Sequence, residues 1–255
     1  MRSRLHRKLG LLKVAIECNK SEDGLRIEHW GMADLLLSGL LMAPLVVSGS
    51  SLDLCEYGRR QSPIDIISPV RQVLPPIEFH YRDAPLKIAN DGHTVRVRFA
   101  NGNHVVVGKE RYVLQQFHFH TPGGDRVAGE EFGMAAHLVH KSKTGGLVVI
   151  VILFRKGAEN PMLAMLLPKV PPQADGDHAM PSVRISPGGL VPRERGYYSY
   201  DGSLTGPPCT EGVTWLVMKQ PLELSADQLA HYKGIFSDNA RPVQPLNGRM
   251  VRESR

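Results

Sequence analysis

The chain contains the stretch Gln116-Phe117-His118-Phe119-His120, in which histidines and phenylalanines alternate. Successive side chains of a β-strand point to opposite faces of a sheet. A strand at this position therefore places His118 and His120 on one face and both phenylalanines on the other. Gln116 shares the histidine face. The pattern predicts a strand that is apolar on one side and carries two imidazoles on the other.

A third histidine follows in a second strand-like run at residues 135–141, where His137 comes seventeen residues after the end of that stretch. His137 shares a face with Ala135 and Val139. The intervening sequence Thr121-Pro-Gly-Gly124 is typical of a turn, so the two strands can lie side by side and bring the three imidazoles together. Three neutral nitrogen ligands with an open fourth position are typical of a catalytic zinc site. A His-x-His pair alone is more often a surface pair, and the third histidine favours the metal site over that alternative.

The composition indicates one folded unit rich in turns and strands. A chain of 255 residues with 42% hydrophobic residues can bury a sizeable core, and 25 glycines with 19 prolines favour short strands over long helices. The net charge of +6 could indicate nucleic acid as a partner. However, much of the basic excess lies in the first thirteen residues and in the tail, and no nucleic-acid motif accompanies it. We therefore predict a solvated basic surface and no nucleic-acid partner.

Residues 1–54 differ from the rest and form an atypical N-terminal extension. An apolar run at residues 35–47 is interrupted only by Ser38, Gly39 and Pro44. It is shorter than the roughly 20 residues that span a bilayer as a helix, but it matches the core of a secretion signal. Three interpretations stay open: an export signal, an insert that associates with a membrane, and a misplaced start upstream of the true protein.

Apolar patterns in residues 55–255 predict a single, mainly β domain. We expect strands at residues 86–88, 94–99, 104–107, 112–120, 135–141, 147–154 and 213–219. The run at 147–154 is apolar on both faces, which predicts a central strand covered on both sides. Residues 61–66 are expected to be extended, and the proline-rich stretch 168–187 to be mostly loop. Ser225 is the predicted N-cap of a short helix.

Six short motifs occur in one order and together resemble the α-class carbonic anhydrases. They are Gln61-Ser-Pro-Ile-Asp-Ile66, Asn90-Asp-Gly-His93, Gln116-Phe-His-Phe-His120, His137-Leu-Val-His140, Gly202-Ser-Leu-Thr205 with Pro207-Pro208, and Asn239-Ala-Arg-Pro-Val-Gln-Pro-Leu246. The resemblance covers roughly residues 55–252, and the spacings are most similar to those of bacterial members. Glu28-His29-Trp30-Gly31 is also similar to a family motif, although it lies farther from Cys55 than usual.

The resemblance implies a fold and a metal. The implied fold is a large, twisted, mostly antiparallel mixed sheet of about ten strands, with a few short peripheral helices. The implied cofactor is Zn²⁺, held by His118, His120 and His137. The implied reaction is the reversible hydration of CO2 to bicarbonate and a proton, by attack of zinc-bound hydroxide.

The resemblance also implies roles for the side chains around the metal. Thr205 accepts the proton of the zinc-bound hydroxide, and Gln116 bonds a ligand histidine. Tyr200 lies at the position of a hydroxyl in the water network of the proton shuttle. His93 lies at the position of the shuttle itself, although the residues alone allow it equally to be an ordinary turn residue. The apolar pocket for CO2 is lined by Val139, Val149, Leu204 and Trp215.

The chain has three cysteines, Cys18, Cys55 and Cys209, none of them spaced as a metal-binding Cys-x-x-Cys pair. One disulfide and one free thiol would require an oxidising compartment. The resemblance implies that Cys55 and Cys209 form the disulfide of exported members. We therefore expect a periplasmic or secreted protein, with membrane association through residues 35–47 as an open alternative.

The chain departs from the family at positions that support the metal site. Family members usually carry one glutamate four residues after the second ligand and another two residues before the third, where this chain has Gly124 and Ala135. The residue after Thr205 is Gly206, where threonine is common. Losing groups that orient metal ligands typically lowers affinity or activity about 10–100-fold. We hypothesise that Asp125 takes over the orientation of Thr205 through a shifted loop.

The sequence therefore predicts a zinc carbonic anhydrase whose activity these departures reduce. One alternative is a carbonic-anhydrase-related domain that keeps zinc, catalyses weakly or not at all, and serves recognition. A second alternative is a zinc hydrolase on the same site, because metal hydroxide also attacks esters; the narrow apolar pocket favours CO2. The predicted partner is the small-molecule substrate, CO2 or bicarbonate, and the protein is expected to be a monomer or a dimer.

Overall fold

The structure is a computed structural model that describes residues 53–100 and 102–255. The apolar run at 35–47, the motif at 28–31 and Cys18 lie outside the described residues, as does nearly all of the predicted extension at 1–54. Within the described ranges, none of the helices is both long enough and apolar enough to cross a membrane.

Strands dominate the fold, and the helices are short. The helices are α1 (Asp53–Tyr57), α2 (Pro161–Leu166) and α3 (Ala226–Ile235), with 3-10 turns at Leu167–Lys169 and Pro187–Leu190. The strands are β1 (Asp65–Ile66), β2 (Val70–Gln72), β3 (Ile77–His80), β4 (Ala84–Asn90), β5 (Val95–Arg98), β6 (His104–Val107), β7 (Glu110–His120), β8 (Arg126–Val127), β9 (Met134–Ser142), β10 (Leu147–Lys156), β11 (Asp175–Ile185), β12 (Tyr197–Ser203), β13 (Glu211–Met218), β14 (Leu222–Leu224) and β15 (Arg252–Ser254).

One mixed sheet of thirteen strands forms the framework of the domain. Ten strands follow a continuous path in the order β11-β4-β5-β7-β9-β10-β13-β12-β15-β2, and β3, β6 and β14 pair off this path. Most pairs are antiparallel, whereas β10 pairs parallel with β13 and β14, and β15 pairs parallel with β2. A separate short parallel pair joins β1 and β8. The prediction of a large, mostly antiparallel mixed sheet is confirmed.

The sheet carries a hydrophobic cluster on each face, and β10 contributes to both. Val148, Ile150 and Ile152 belong to the larger cluster, and Val149, Val151 and Leu153 belong to the smaller one. β10 lies between β9 and β13, and these six side chains are at most 2% exposed. Its uninterrupted apolar sequence follows from burial on both faces, and the predicted central strand is confirmed.

The histidine strands are neighbours in this sheet. Phe117 and Phe119 of β7 pack into the larger cluster, so the alternating side chains His118 and His120 lie on the face of the smaller cluster. β9 pairs antiparallel with β7, and His137 lies directly opposite His118. The expected return of the chain after the turn at 121–124 is confirmed.

The prediction that residues 168–187 are mostly loop is wrong. Most of this stretch forms β11, which within residues 53–100 and 102–255 is an edge strand that pairs only with β4. Proline is tolerated in an edge strand because one side of the strand makes no ladder hydrogen bonds. Pro181 also lies where the register shifts between Met180 and Arg184, at a break in the ladder. Pro181 inside β11 is therefore compatible with the strand.

The predicted start of helix α3 is confirmed. The Ser225 side chain accepts a hydrogen bond from the backbone N–H of Gln228, and the Gln228 side chain accepts one from the backbone N–H of Ser225. This reciprocal pair satisfies two donors at the helix start. The helix presents Tyr232 to the sheet, where its hydroxyl donates to the carbonyl of Phe119 at 2.9 Å. Helix α3 thus packs against the back of the histidine strand.

Candidate metal centre

The three histidines of β7 and β9 converge on one point. His118, His120 and His137 each offer a nitrogen, and these nitrogens all lie within 4.8 Å of one another. Their ring centroids are 4.6–5.3 Å apart. His137 is 3% exposed and His120 is 9% exposed, whereas His118 is half-buried. Strand pairing creates this arrangement, because His118 lies opposite His137 and His120 lies two residues farther along the same face.

Two of the three rings are oriented by hydrogen bonds at Nδ1. His118 Nδ1 lies 2.9 Å from Oε1 of Gln116, which shares its strand face as predicted. His120 Nδ1 lies 3.2 Å from the backbone oxygen of Asn239. Each contact places the ring proton on Nδ1 and leaves Nε2 as a free electron pair. The orientation of these two rings is therefore suited to metal binding.

The chemistry of the three rings fits a metal ion. Burial lowers the pKa of His118 and of His137 well below the ordinary value, and it lowers the pKa of His120 to about 4. All three are therefore neutral at pH 7, as metal ligands must be. Nε2 of His120 is buried without a hydrogen-bond partner in the described part of the chain. Three neutral nitrogens match a tetrahedral ion with one open position.

An apolar wall adjoins the histidines on the same face of the sheet. Val149 of β10 pairs with Val139 on β9 and with Trp215 on β13, so the three form a row across neighbouring strands. Leu204 packs against the same cluster. The ring of Trp215 stands perpendicular to that of His137, with centroids 5.0 Å apart. The structure thus brings together the four residues expected to line the substrate pocket.

The segment carrying Thr205 is held by its neighbours. The backbone N–H of Leu204 donates to the carbonyl of Thr210 at 2.9 Å, and the N–H of Ser203 donates to Oγ of Ser62 at 3.1 Å. Cys209 forms the implied disulfide with Cys55. The side chain of Thr205 itself is half-buried. These contacts fix the backbone on both sides of Thr205.

Asp125 is buried, but it does not bond Thr205. Its Oδ1 accepts hydrogen bonds from the Ile64 backbone N–H at 3.1 Å and from the Tyr200 hydroxyl at 2.8 Å, while Oδ2 has no partner among the described residues. The preceding Gly124 has a φ of +79°, a conformation that L side chains rarely adopt. The backbone turn therefore disfavours a glutamate at position 124 and directs the next carboxylate inward.

In the parent chain we expect the free energy of unfolding to depend on pH through Asp125. The D125N variant should lack this dependence. Burial raises the pKa of Asp125 from 3.8 to about 6, against the opposing effect of its two hydrogen bonds. In the folded state the carboxyl group therefore takes up its proton at a higher pH than in the unfolded state. The charged form opposes folding above pH 6, and this penalty disappears as the pH falls below 4.

The penalty amounts to at most about 3 kcal/mol, at about 1.4 kcal/mol per pKa unit. Asparagine keeps the acceptor oxygen for Tyr200 but carries no charge. Urea unfolding of both chains between pH 4 and pH 8, with a chelator present, measures the difference. The parent chain should lose stability relative to D125N as the pH rises, and parallel curves would contradict the assignment.

Asn239 links the region of His93 to the metal site, a connection that sequence analysis missed. Its side-chain Nδ2 donates to the His93 carbonyl at 2.7 Å, while its backbone oxygen faces His120. Its Oδ1 accepts from the backbone N–H of Thr121 at 2.8 Å. His93 itself is exposed. Asn239 begins one of the six motifs, and only the tertiary contacts reveal what it does there.

Tyr200 and His140 lie away from the open side of the site. Tyr200 is fully buried, stacks on Trp215 and donates to Asp125, so its hydroxyl belongs to an interior network. His140 is also fully buried, and its Nε2 lies 2.7 Å from the Tyr81 hydroxyl on the opposite face of the sheet. His140 is therefore a packed core residue, as predicted, and contributes nothing to the metal centre.

Comparisons with known proteins agree with this geometry. The family model of the eukaryotic-type carbonic anhydrases matches residues 49–255. A carbonic anhydrase of Klebsiella pneumoniae is 41% identical over 202 residues, which cover 78% of this chain and 82% of that protein. One of Pectobacterium carotovorum is 38% identical over 200 residues, covering 78% of this chain and 81% of that protein.

A solved structure of the α-carbonic anhydrase from Thermovibrio ammonificans, in complex with the inhibitor sulfanilamide, superposes with a TM-score of 0.76 at 40% identity. The match covers 80% of this chain and 91% of that one. Sequence motifs, sheet order, three converging imidazoles and these similarities lead to the same conclusion. The chain belongs to the α-class, or eukaryotic-type, carbonic anhydrases.

Proposed function

We propose that this protein binds Zn²⁺ through His118, His120 and His137 and hydrates CO2 reversibly to bicarbonate and a proton. The observation that carries the proposal is the convergence of three neutral imidazole nitrogens within 4.8 Å, in a domain of this family. When bound, zinc lowers the pKa of a water molecule to about 7, the value characteristic of carbonic anhydrases, and so supplies a nucleophile near neutral pH.

The protein's own contribution begins with ligand orientation. Gln116 and the Asn239 carbonyl hold two of the rings with the metal-facing nitrogen unprotonated. Burial keeps the rings neutral, so no proton has to leave them before metal binds at pH 7. Two of the three rings are thus oriented for the metal before the metal binds.

The apolar wall of Val139, Val149, Leu204 and Trp215 is the proposed CO2 site. CO2 is small and has no net dipole, so an apolar surface beside the metal binds it without competing for the nucleophile. The same surface excludes ordered water from the path of attack. A wall of two valines, a leucine and an indole also offers no donor to hold the charged product, which favours release of bicarbonate.

Thr205 is proposed to orient the nucleophile by accepting its hydrogen bond. Asp125 supports it indirectly: it holds the hydroxyl of Tyr200, which lies against Ser62, and Ser62 fixes the backbone at Ser203. This chain of contacts ends two residues before Thr205. The proposed role of Asp125 is therefore to position the Thr205 segment through its backbone.

His93 is the proposed proton shuttle, because each hydration releases a proton that must reach solvent. An exposed imidazole near the metal can take this proton and release it to buffer. We expect the H93A variant to lower kcat by up to about 100-fold in weak buffer. Because CO2 attack itself does not use His93, kcat/KM should stay near the parent value.

Stopped-flow hydration in buffers of increasing imidazole concentration checks this role. Added imidazole should restore kcat in H93A and leave the parent chain nearly unchanged. A variant that keeps the parent kcat in weak buffer would show that another group carries the proton.

The central experiment is stopped-flow CO2 hydration on the full chain, with zinc content measured on the same sample. Rapid hydration in proportion to bound zinc is the expected result. Full zinc occupancy without hydration above background would instead favour a recognition domain. Ester hydrolysis without CO2 hydration would favour a zinc hydrolase.

We further propose that the protein works in the periplasm or outside the cell. The disulfide between Cys55 and Cys209 supports this, because such bonds persist in oxidising compartments and are rare in the cytosol. The apolar run at residues 35–47 is the proposed export signal, with membrane association as its alternative. Mass spectrometry of the mature N-terminus distinguishes cleavage from retention.

A further inference from the structure

The three ligand rings are not equally supported. His118 and His120 each have a protein acceptor for the nitrogen that does not face the metal. His137 has none: neither of its ring nitrogens hydrogen-bonds any residue in the described part of the chain, and its Nε2 is fully buried. This difference is a property of the third ligand alone.

The surroundings of His137 explain why no acceptor is present. Ala135, two residues before His137 on the same face of β9, is completely buried. The residue paired with His137 on β10 is Val151, and the ring of Trp215 stands perpendicular to the imidazole. All three are apolar on the surface they present. His137 is therefore held by packing, and its orientation is not set by a hydrogen bond.

A ligand imidazole without an acceptor carries a penalty when metal binds. The ring gives one nitrogen to the metal and must keep its proton on the other. At His137 the buried nitrogen is Nε2, and an N–H group there has no acceptor among the described residues, which is unfavourable for a buried donor. Without metal, the ring can avoid the penalty by moving its proton to the nitrogen that faces the other imidazoles. Metal release therefore relieves a strain that metal binding imposes.

We propose that Ala135 makes the metal centre labile, so that this chain binds its ion more weakly and releases it faster than an otherwise identical site with an acceptor at position 135. The inference rests on the proposed zinc function. Position 135 is the relevant one because residues two apart in a strand share a face about 7 Å apart, within reach of a glutamine or glutamate side chain. Ala135 thus affects the metal only through His137, because its methyl group offers no hydrogen-bond acceptor to that ring.

The test compares A135Q with A135M in the full chain. Glutamine and methionine have similar length and volume, but only glutamine accepts a strong hydrogen bond. Zinc affinity and dissociation rate are measured by competition with a chromogenic chelator, without reference to activity. We expect A135Q to bind zinc about 10–100-fold more tightly than A135M, with a correspondingly slower release. The unfolding midpoints of the two metal-free variants should agree, which separates the hydrogen bond from packing.

The matched variant on another ligand is Q116M, which removes the acceptor of His118. It should weaken zinc binding by a similar factor of about 10–100. If Q116M weakens binding but A135Q and A135M bind equally, the proposal for Ala135 is overturned while the zinc site stands. If the parent chain binds no zinc at all, the proposed function itself fails.

A measurement on the parent chain covers the case in which the buried variants do not fold. In the zinc-loaded protein, ¹⁵N-edited NMR of the imidazole N–H groups should show two ligand protons shifted downfield by hydrogen bonding. The third, from His137, should lie upfield of them. Three equally downfield protons would show that His137 has an acceptor and would overturn the inference.

Discussion

Replacing His120 with alanine is expected to abolish stable zinc binding and to lower CO2 hydration by at least about 1,000-fold. His120 is 9% exposed, and its Nε2 has no partner within the described structure other than the metal it would bind. Two imidazoles and a cavity cannot complete a tetrahedral site. Since enzymes typically accelerate reactions by about 10⁶-fold or more and this reaction depends on the metal, losing the metal removes nearly all of that acceleration.

The measurement combines zinc content with stopped-flow hydration on H120A and on a matched control, H231A. His231 is exposed on helix α3, where alanine is a favourable replacement. H231A should keep the zinc content and the rate of the parent chain. Circular dichroism should show that H120A retains its strands, because His120 adds little to either hydrophobic cluster. CO2 hydration by H120A at a rate within tenfold of the parent rate would show that this histidine does not belong to the metal site.

The double variant C55S/C209S is expected to lose about 2–5 kcal/mol of unfolding free energy. The disulfide joins residues 154 apart and so restricts the unfolded chain strongly; the loop-closure estimate for this length is about 5 kcal/mol. Cys209 is 1% exposed, and its carbonyl accepts from the Gln61 side chain at 3.2 Å. The bond therefore also ties the start of the domain to the segment after Thr205.

Guanidinium unfolding under oxidising and reducing conditions measures this contribution. The unfolding midpoint of the parent chain should shift to a lower guanidinium concentration when a reductant is added, whereas the midpoint of the double variant should not change. CO2 hydration by the variant should fall as well, because the Thr205 segment loses its covalent anchor. An unchanged midpoint in the double variant would show that the segment is held by its hydrogen bonds alone.

Local sequence periodicity was sufficient to place the three histidines. The alternation in residues 116–120 assigns each side chain to a face without knowledge of the rest of the fold, and His137 follows the same rule on its own strand. β10 was equally predictable, because a short run that is apolar on both faces is typical of a central strand covered on both sides. The motif order then identified the family, and the comparisons confirmed it.

The long edge strand and the interior polar contacts were not predictable in this way. β11 contains Pro181 and was expected to be loop, since nothing local shows that the chain runs along a free sheet edge with shifted register. Asp125 was expected to orient Thr205, yet its carboxylate bonds Ile64 and Tyr200, which are 61 and 75 residues away. Asn239 reaches His93 across 146 residues.

The amino-acid sequence by itself determined the strand faces, the three histidines that converge and the family of this protein. Those properties depend on side-chain alternation and short motifs, which act over a few residues. The tertiary structure alone decided which of these histidines have hydrogen-bond partners, and among the described residues it left His137 without one. That outcome depends on pairing between distant strands, where one buried position, Ala135, offers a methyl group in place of an acceptor.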